Sequence, residues 1–163
     1  MESMTVKDLI KKGAIYFDDI SEGFQLYQEI DIPMDEVQAA VRFRRLIEKN
    51  GPENCFADFY YFKVEQHARD YINAMLKEDE LRYIESLRPE DPEVDIIFPL
   101  TVELLDIIVK LNASEAMFCT LYFTKDRSTW WGNYGKQYAV FIDRAVAEDE
   151  LPYQNKTENV YLN

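Results

Sequence analysis

Two strand-forming segments near the carboxyl end constrain the fold more than any other feature of the chain. Residues 116–124 and residues 137–142 are dense in β-branched and aromatic side chains, which favour extended strands. The segment between them, residues 125–136, contains the Gly, Asn and Asp residues that are typical of a turn. The pattern therefore predicts a β-hairpin with a long loop.

The predicted loop is also the best candidate for a binding site. Residues 125–136 contain both tryptophans of the chain and three cations against one anion, a local charge of +2 in a chain whose formal charge is −13. A flat aromatic ring contributes about 1–3 kcal/mol when a base stacks on it, and aromatic residues beside positive charge also suit a sugar or a partner peptide. The predicted ligand- or partner-binding residues are Lys125, Arg127, Trp130, Trp131, Asn133 and Tyr134.

A purely structural alternative applies to the same segment. In that alternative the two tryptophans fold back onto the hydrophobic core, and the cations pair with nearby acidic side chains. The two interpretations differ in one observable feature, because only the first keeps both indole rings at the surface.

The length and charge of the chain limit its organisation and its partners. At 163 residues, the whole chain, 1–163, is expected to form a single domain that needs neither a disulfide nor a metal to fold. A formal charge of −13 argues against nucleic acid and anionic membranes, since binding to phosphate groups requires an excess of Lys and Arg. The same charge attracts a basic protein. The expected partner is therefore a protein, with a nucleotide as the alternative.

Two features of the sequence predict a cytoplasmic location. The N-terminal residues are polar and contain no apolar signal region, and no run approaches the ~18 uncharged apolar residues of a membrane span. The two cysteines are too few for a disulfide framework. We therefore expect a cytoplasmic protein without a membrane partner.

Helical spacing of apolar residues occurs in four other parts of the chain: residues 5–12, 33–50, 63–76 and 101–111. The second of these helices has Pro33 in its predicted first turn and a glycine as its stop. Its predicted buried face contains Val37 and Val41, and Arg42 and Arg45, three residues apart, share a side of it. The fourth helix is apolar nearly all round, so we expect it to be the most buried one.

The remaining segments are shorter or ambiguous. Two segments have the composition of strands, residues 14–17 and 94–98. Two others fit either a helix or a strand, residues 21–30 and 55–62. The apolar spacing changes phase after residue 76, which predicts a break near residues 77–80, and residues 159–162 are expected to add an edge strand. Together these elements predict an α+β fold, with helices packed on a mostly antiparallel sheet that contains the long-looped C-terminal hairpin.

The sequence contains no established catalytic or metal-binding motif, since HExxH, CxxC, a phosphate-binding loop and GxGxxG are all missing. His67, the single histidine, is expected at a helix surface rather than beside a nucleophile. Asp18, Asp19 and Glu22 are oxygen donors of the kind that Mg²⁺ or Ca²⁺ binds, but a solvated turn is the preferred interpretation. We therefore expect no metal and no cofactor, and the sequence assigns no catalytic residue.

Four short segments follow one another along the hairpin: residues 123–125 (Phe-Thr-Lys), 130–131 (Trp-Trp), 133–135 (Asn-Tyr-Gly) and 140–142 (Val-Phe-Ile). Near the start of the chain, residues 13–17 read Gly-Ala-Ile-Tyr-Phe. In both places the chain resembles a family of bacterial and phage proteins, a domain of unknown function with the pattern Phe-Ser-Lys…Met-Trp-x-His-Tyr-Ala…Gly-Val-x-Ile. Asn133 stands where that family has its histidine. The resemblance implies a shared fold rather than a particular reaction.

Two hypotheses about function follow from these patterns. The first is a non-enzymatic protein-binding factor of host–phage or toxin conflict, of the immunity, antitoxin or anti-defence type, which small size, acidity and the aromatic loop favour. The alternative is an enzyme or binder that acts on a nucleotide or nucleotide-sugar through residues 125–136, with Tyr16, Arg127 and a nearby acid in the site.

Overall fold

The computed structural model describes residues 2–145. Within this range the chain forms six helices and one sheet of six strands. The helices are α1 (Val6–Lys11), α2 (Ile20–Leu26), α3 (Glu36–Asn50), α4 (Gln66–Ala74), α5 (Glu78–Ser86) and α6 (Val102–Ala113). The strands are β1 (Gln28–Pro33), β2 (Cys55–Asp58), β3 (Ile97–Pro99), β4 (Thr120–Phe123), β5 (Ser128–Asn133) and β6 (Gln137–Ile142).

The sheet is antiparallel throughout, in the order β1-β6-β5-β4-β2-β3. Strands β4, β5 and β6 follow one another directly and form its centre, so the C-terminal part of the described chain builds the core of the sheet. Helices packed on an antiparallel sheet are the α+β arrangement that the sequence predicts, and that prediction is confirmed.

Both faces of the sheet are covered. On one face α3 and α6 pack over alternate residues of the strands, such as Leu121 and Val140. On the other face the N-terminal segment, which comprises α1, the extended residues 13–19 and α2, packs over the intervening residues, such as Tyr122 and Phe141. Successive residues of a strand point to opposite faces of the sheet. Because both faces are covered, the side chains on both sides of the central strands are buried.

Helices α3 and α6 begin at side-chain caps. The Asp35 carboxylate accepts a hydrogen bond from the Gln38 amide at 2.8 Å, and the Thr101 hydroxyl accepts one from the Leu104 amide at 3.1 Å. The prediction that Pro33 lies in the first turn of α3 is wrong, because the cap at Asp35 starts the helix later. Pro33 instead ends β1, an edge strand, where a missing N–H is tolerated.

The shorter predicted elements have mixed outcomes. Residues 14–17 are extended and packed on the sheet but pair with no strand, so the prediction of a strand there is wrong. Of residues 94–98 only the last two lie in β3. The ambiguous residues 21–30 divide between α2 and β1, and the predicted break near residues 77–80 is confirmed by the separation of α4 from α5. The predicted strand at 159–162 lies outside the described residues.

The prediction of a long loop between two strands is also wrong, because most of the segment is β5. The short connections are residues 124–127 before β5 and residues 134–136 after it. Gly132, which favours a loop in the sequence, lies in the strand for a packing reason: a Cβ atom at this position would lie 2.7 Å from Cγ of Asn112. Asn112 of α6 accepts a hydrogen bond from the Cys119 amide at 2.8 Å and donates to the Tyr138 hydroxyl at 3.2 Å. Only glycine leaves room for this link between α6 and the sheet.

Substitution of the two tryptophans tests how the two faces of the sheet are packed. Trp130 is fully buried, packs edge-on against Phe43 at 5.1 Å between ring centroids and donates from Nε1 to Ser128 Oγ at 2.9 Å. Trp131 is half-buried on the other face. We expect Trp130→Ala to lower the free energy of unfolding by about 3–5 kcal/mol, and Trp131→Ala to lower it by less. Urea unfolding monitored by circular dichroism measures both, and equal losses would contradict the assignment of the two rings.

Candidate functional site

The six predicted binding residues do not converge on one site. Lys125 and Arg127 belong to the connection before β5, whereas Asn133 and Tyr134 lie at its far end. Six residues of extended strand separate these ends by roughly 20 Å. One small ligand therefore does not reach both groups.

Arg127 is held by contacts within the protein. Its Nη1 atom lies 2.9 Å from Oδ1 of Asp143, and its Nε atom donates to the carbonyl oxygen of Gly13 at 2.9 Å. The side chain thus joins the turn, the end of β6 and the N-terminal segment. For this cation the structure agrees with the ion-pairing alternative, while Lys125 is exposed.

The expectation that both indole rings point outward is wrong. Trp130 lies in the core, and Trp131 stacks on Phe17 of the N-terminal segment with ring centroids 5.2 Å apart. The physical reason is that adjacent residues of β5 face opposite sides of a sheet that is covered on both. Tyr134 is the exposed aromatic residue of the segment and contacts Phe118 edge-on, with ring centroids 4.8 Å apart. Asn133 is exposed and caps the amide of Tyr134.

A buried carboxyl group at the end of β2 is a feature that the sequence interpretation missed. Asp58 is only 6% exposed, and its Oδ1 atom accepts a hydrogen bond from the Thr120 amide at 2.7 Å. The hydroxyls of Thr120 and Tyr60 also donate to it. The sequence does contain a signal, since residues 55–62 are otherwise almost entirely apolar and aromatic.

Three tyrosines surround this carboxyl and complete what we call the Asp58 cluster: Tyr16, Asp58, Tyr60, Thr120 and Tyr122. The rings of Tyr16 and Tyr122 lie 6.2 Å apart between centroids, and the Tyr16 hydroxyl donates to Asp18 at 2.8 Å. Burial raises the pKa of Asp58 to about 7 against the opposing effect of its hydrogen bonds. Burial likewise raises the pKa of Tyr16 to about 12 and that of Tyr122 well above its usual value. A carboxyl that titrates near neutral pH is suited to accept or donate a proton.

A surface groove lies between α3, α5 and α6. Its volume is about 580 Å³. Its apolar lining includes Val37, Ala40 and Val41 of α3, together with Tyr83 and Ile107. Its charged lining has five carboxylates against three cations: Glu36, Asp79, Glu80, Glu103 and Asp106, with Arg44, Lys77 and Lys110. We call this feature the acidic groove.

Two ion pairs join the helices around the acidic groove. Arg44 of α3 lies 2.8 Å from Asp106 of α6, and Lys110 of α6 lies 2.7 Å from Glu80 of α5. Within residues 2–145 the other three carboxylates of the groove make no ion pair, so that its free charge is negative.

The prediction that Val37 and Val41 belong to the buried face of α3 is wrong. Val37 is 71% exposed and Val41 is 45% exposed. The apolar surface of α3 is wider than the part that the sheet and α6 cover, because Ala39, Phe43 and Leu46 already fill the side that faces the core. The two valines are therefore an apolar stripe that the fold leaves in the groove.

The other candidates from the sequence have structural roles or lie apart from these features. The Asp19 carboxylate accepts from the Ser21 amide at the start of α2, and His67 is exposed on α4. In the part of the chain that the structure describes, no group of three or more His, Cys, Asp or Glu side chains could hold a metal ion. Among the same residues, every helix is too short or too polar to cross a membrane.

Comparisons with protein-family models, with curated proteins and with solved structures found no match. The resemblance to a domain of unknown function therefore stays a prediction.

The titration of Asp58 makes stability depend on pH. Because its pKa in the folded protein, about 7, is above its ordinary value of 3.8, folding favours the neutral carboxyl. The free energy of unfolding should therefore fall as the pH rises through this interval, by up to about 4 kcal/mol. Asp58→Asn keeps an oxygen for the Thr120 amide but removes the charge. We expect this variant to exceed the wild type in stability at pH 8 and to lose that advantage at pH 4.

Urea unfolding of both proteins from pH 4 to pH 8 measures the difference. Burial and the neighbouring Asp31 also raise the pKa of Glu29, but Glu29 titrates in both proteins and cancels in the comparison. A stability difference that does not change with pH would contradict the buried, titrating state of Asp58.

Proposed function

We propose that this protein is a non-enzymatic, cytoplasmic binding factor that receives a basic, amphipathic helix of a partner protein in the acidic groove. An immunity, antitoxin or anti-defence role in host–phage or toxin conflict is the setting we propose for it. The single observation that supports the binding function is the exposed pair Val37 and Val41 in an apolar groove, bordered by carboxylates of which three form no ion pair with any described residue.

The shape of the groove suits a helix. Helices pack with their axes 8–10 Å apart when the side chains of one fill the grooves of the other. Val37, Ala40, Val41 and Arg44 follow the i, i+3, i+4, i+7 spacing that forms one stripe along α3. A partner helix with apolar residues at the same spacing would bury the two valines between α3 and α5, a common mode of peptide recognition.

The negative charge of the groove favours a positively charged partner. Five carboxylates against three cations line it, and the chain as a whole carries −13. Lys and Arg residues on the polar face of a partner helix would meet Glu36, Asp79 and Glu103 at the groove. Such attraction speeds association and falls with ionic strength.

The chemistry of the cysteines also supports binding rather than nucleophilic catalysis. Burial raises the pKa of Cys55 to about 12, and that of Cys119 well above its usual value. A thiol attacks as its thiolate, so neither side chain is reactive at neutral pH. Both are free and buried.

Two designed peptides test this proposal. Both are amphipathic helices of about 18 residues, or roughly 27 Å, with the same leucine stripe, and they differ only in carrying Lys or Glu on the polar face. We expect the Lys peptide to bind and to shift the backbone amide resonances of α3, α5 and α6 in an NMR titration. Its affinity should decrease as salt is added.

A double variant and a matched control locate the contact. Val37→Gln with Val41→Gln removes the apolar stripe without changing the charge of the groove; the positions are exposed, so the fold should be preserved, and we expect affinity for the Lys peptide to fall by at least about tenfold. Val94→Gln, which changes a valine that is also exposed but lies outside the groove, should bind normally. Equal binding of both peptides, or undiminished binding by the double variant, would refute the proposal.

A nucleotide or nucleotide-sugar is the ligand of a second proposed function. It is supported by the position of Tyr16, a predicted site residue, beside Asp58 on the face of the sheet that also carries Trp131. Arg127 lies at the other end of β5 and would take no part. We expect ATP or UDP-glucose to quench the fluorescence of Trp131 in the wild type, with no such change in Trp131→Phe. An identical response from the two proteins would end this alternative.

A further inference from the structure

Arg42, in the middle of α3, is a buried charged side chain that has no counterion within residues 2–145. It is only 3% exposed, and its Nε and Nη1 atoms are buried with no hydrogen-bond partner among the described residues. Arginine is rarely buried unless it is paired. An unsatisfied buried donor destabilises a fold, and a charged one does so more strongly. The position therefore requires an explanation.

The charged group that acts on Arg42 is another cation, Arg45. Burial first, and then the charge of Arg45, lower the pKa of Arg42 to about 10. The guanidinium is therefore still protonated at neutral pH. Within residues 2–145 neither arginine forms an ion pair, although the chain has 31 acidic residues against 18 basic ones.

The other cations of the same helix differ. Arg44 is paired with Asp106, and Lys49 lies 3.5 Å from Asp126. Arg44 is roughly 160° round the helix axis from Arg42, since each residue advances the helix by about 100°. Arg42 therefore lies on the flank of α3 opposite Arg44, and Arg45, about 100° from Arg44, is likewise not part of the groove lining.

We propose that Arg42 and Arg45 form a binding site for a phosphate group. Residues three apart on a helix have neighbouring side chains, so the two guanidinium groups can act on one ligand. A phosphate monoester carries a charge of about −1.5 to −2 at neutral pH, which matches two arginines better than a single carboxylate does. Guanidinium groups bind phosphate oxygens through paired hydrogen bonds. The site is separate from the acidic groove and does not depend on the proposed function.

A ligand would approach Arg42 at its Nη2 atom. The Nη2 atom of Arg42 is not among its buried, unpartnered atoms, whereas Nε and Nη1 are. Arg45 is exposed, so its guanidinium is available to the same ligand. Binding would provide the counterion that the interior lacks, so the bound phosphate should stabilise the folded protein.

A thermal-denaturation series with inorganic phosphate tests the site, at constant ionic strength and with chloride and acetate as reference anions. We expect phosphate to raise the Tm of the wild type by about 2–5 °C, and acetate to have little effect. Glycerol 3-phosphate in place of inorganic phosphate distinguishes a phosphorylated small molecule from the free ion: a larger shift would identify the ester as the preferred ligand.

Three variants make the test specific. Arg42→Met replaces the buried guanidinium with an apolar side chain of similar length. We therefore expect a higher Tm than that of the wild type without phosphate, and no change of Tm when phosphate is added. Arg45→Gln, at an exposed position, should fold normally and respond less. Arg44→Gln is the matched control on the same helix and should respond like the wild type.

The guanidinium resonances of the wild type give a direct readout. The Nε–H resonance of Arg42 should shift when phosphate is added, because its surroundings change on binding. The proposal is overturned if phosphate stabilises Arg42→Met or Arg45→Gln as much as the wild type, or if that resonance does not move. If Arg42→Met fails to fold, Arg45→Gln and the resonance still decide the question.

Discussion

Burial of both faces of the central sheet is the constraint on which the rest of the structure depends. Helices α3 and α6 cover one face, and the first part of the chain covers the other. The aromatic residues of β4, β5 and β6 are therefore used mainly for packing. Surfaces for recognition remain on the outer sides of the helices and at the ends of the strands. This division explains why the groove lies among helices rather than on the sheet.

Helix α3 presents three different surfaces on three sides. Phe43 packs against Trp130 and Tyr138 in the core, Val37 and Val41 line the acidic groove, and Arg42 is buried on the remaining flank, where its Nε and Nη1 atoms have no hydrogen-bond partner among residues 2–145. The first is a strong stabilising contribution, the second adds little because the valines stay exposed, and the third costs stability in the isolated protein. Sites that a fold maintains at such a cost are the places where ligands are expected, because binding recovers the lost energy.

Much of the architecture could be predicted from local patterns. The caps and apolar spacing define α3 and α6, and the change of phase after residue 76 locates the gap between α4 and α5. The error at β5 has a non-local cause, since Gly132 is required by the side chain of Asn112, which lies on α6. No local pattern contains that information. In the same way, the sequence shows how wide the apolar stripe of α3 is, but it does not show how much of that stripe other elements cover.

The site could be predicted less well, because it depends on distances between elements. The sequence hypothesis combines Tyr16 with a nearby acid, but Asp58 cannot be chosen among 31 acidic residues without the pairing of β2 with β4. The six residues proposed in the hairpin are close in sequence but point in different directions. The extended strand β5 holds the two groups of residues apart, whereas a loop would have allowed them to come together.

The attachment of the N-terminal segment has a consequence for biosynthesis. Ile15 accepts a hydrogen bond from the Thr129 hydroxyl and Gly13 accepts one from Arg127, in each case across 114 positions of the chain. A ribosome releases residues 13–19 long before it makes the strands that receive them. These residues must therefore wait until those strands have been made, and the closing of so long a loop is entropically costly. The N-terminal segment is thus translated before the strands that it covers and packs on them only when they are complete.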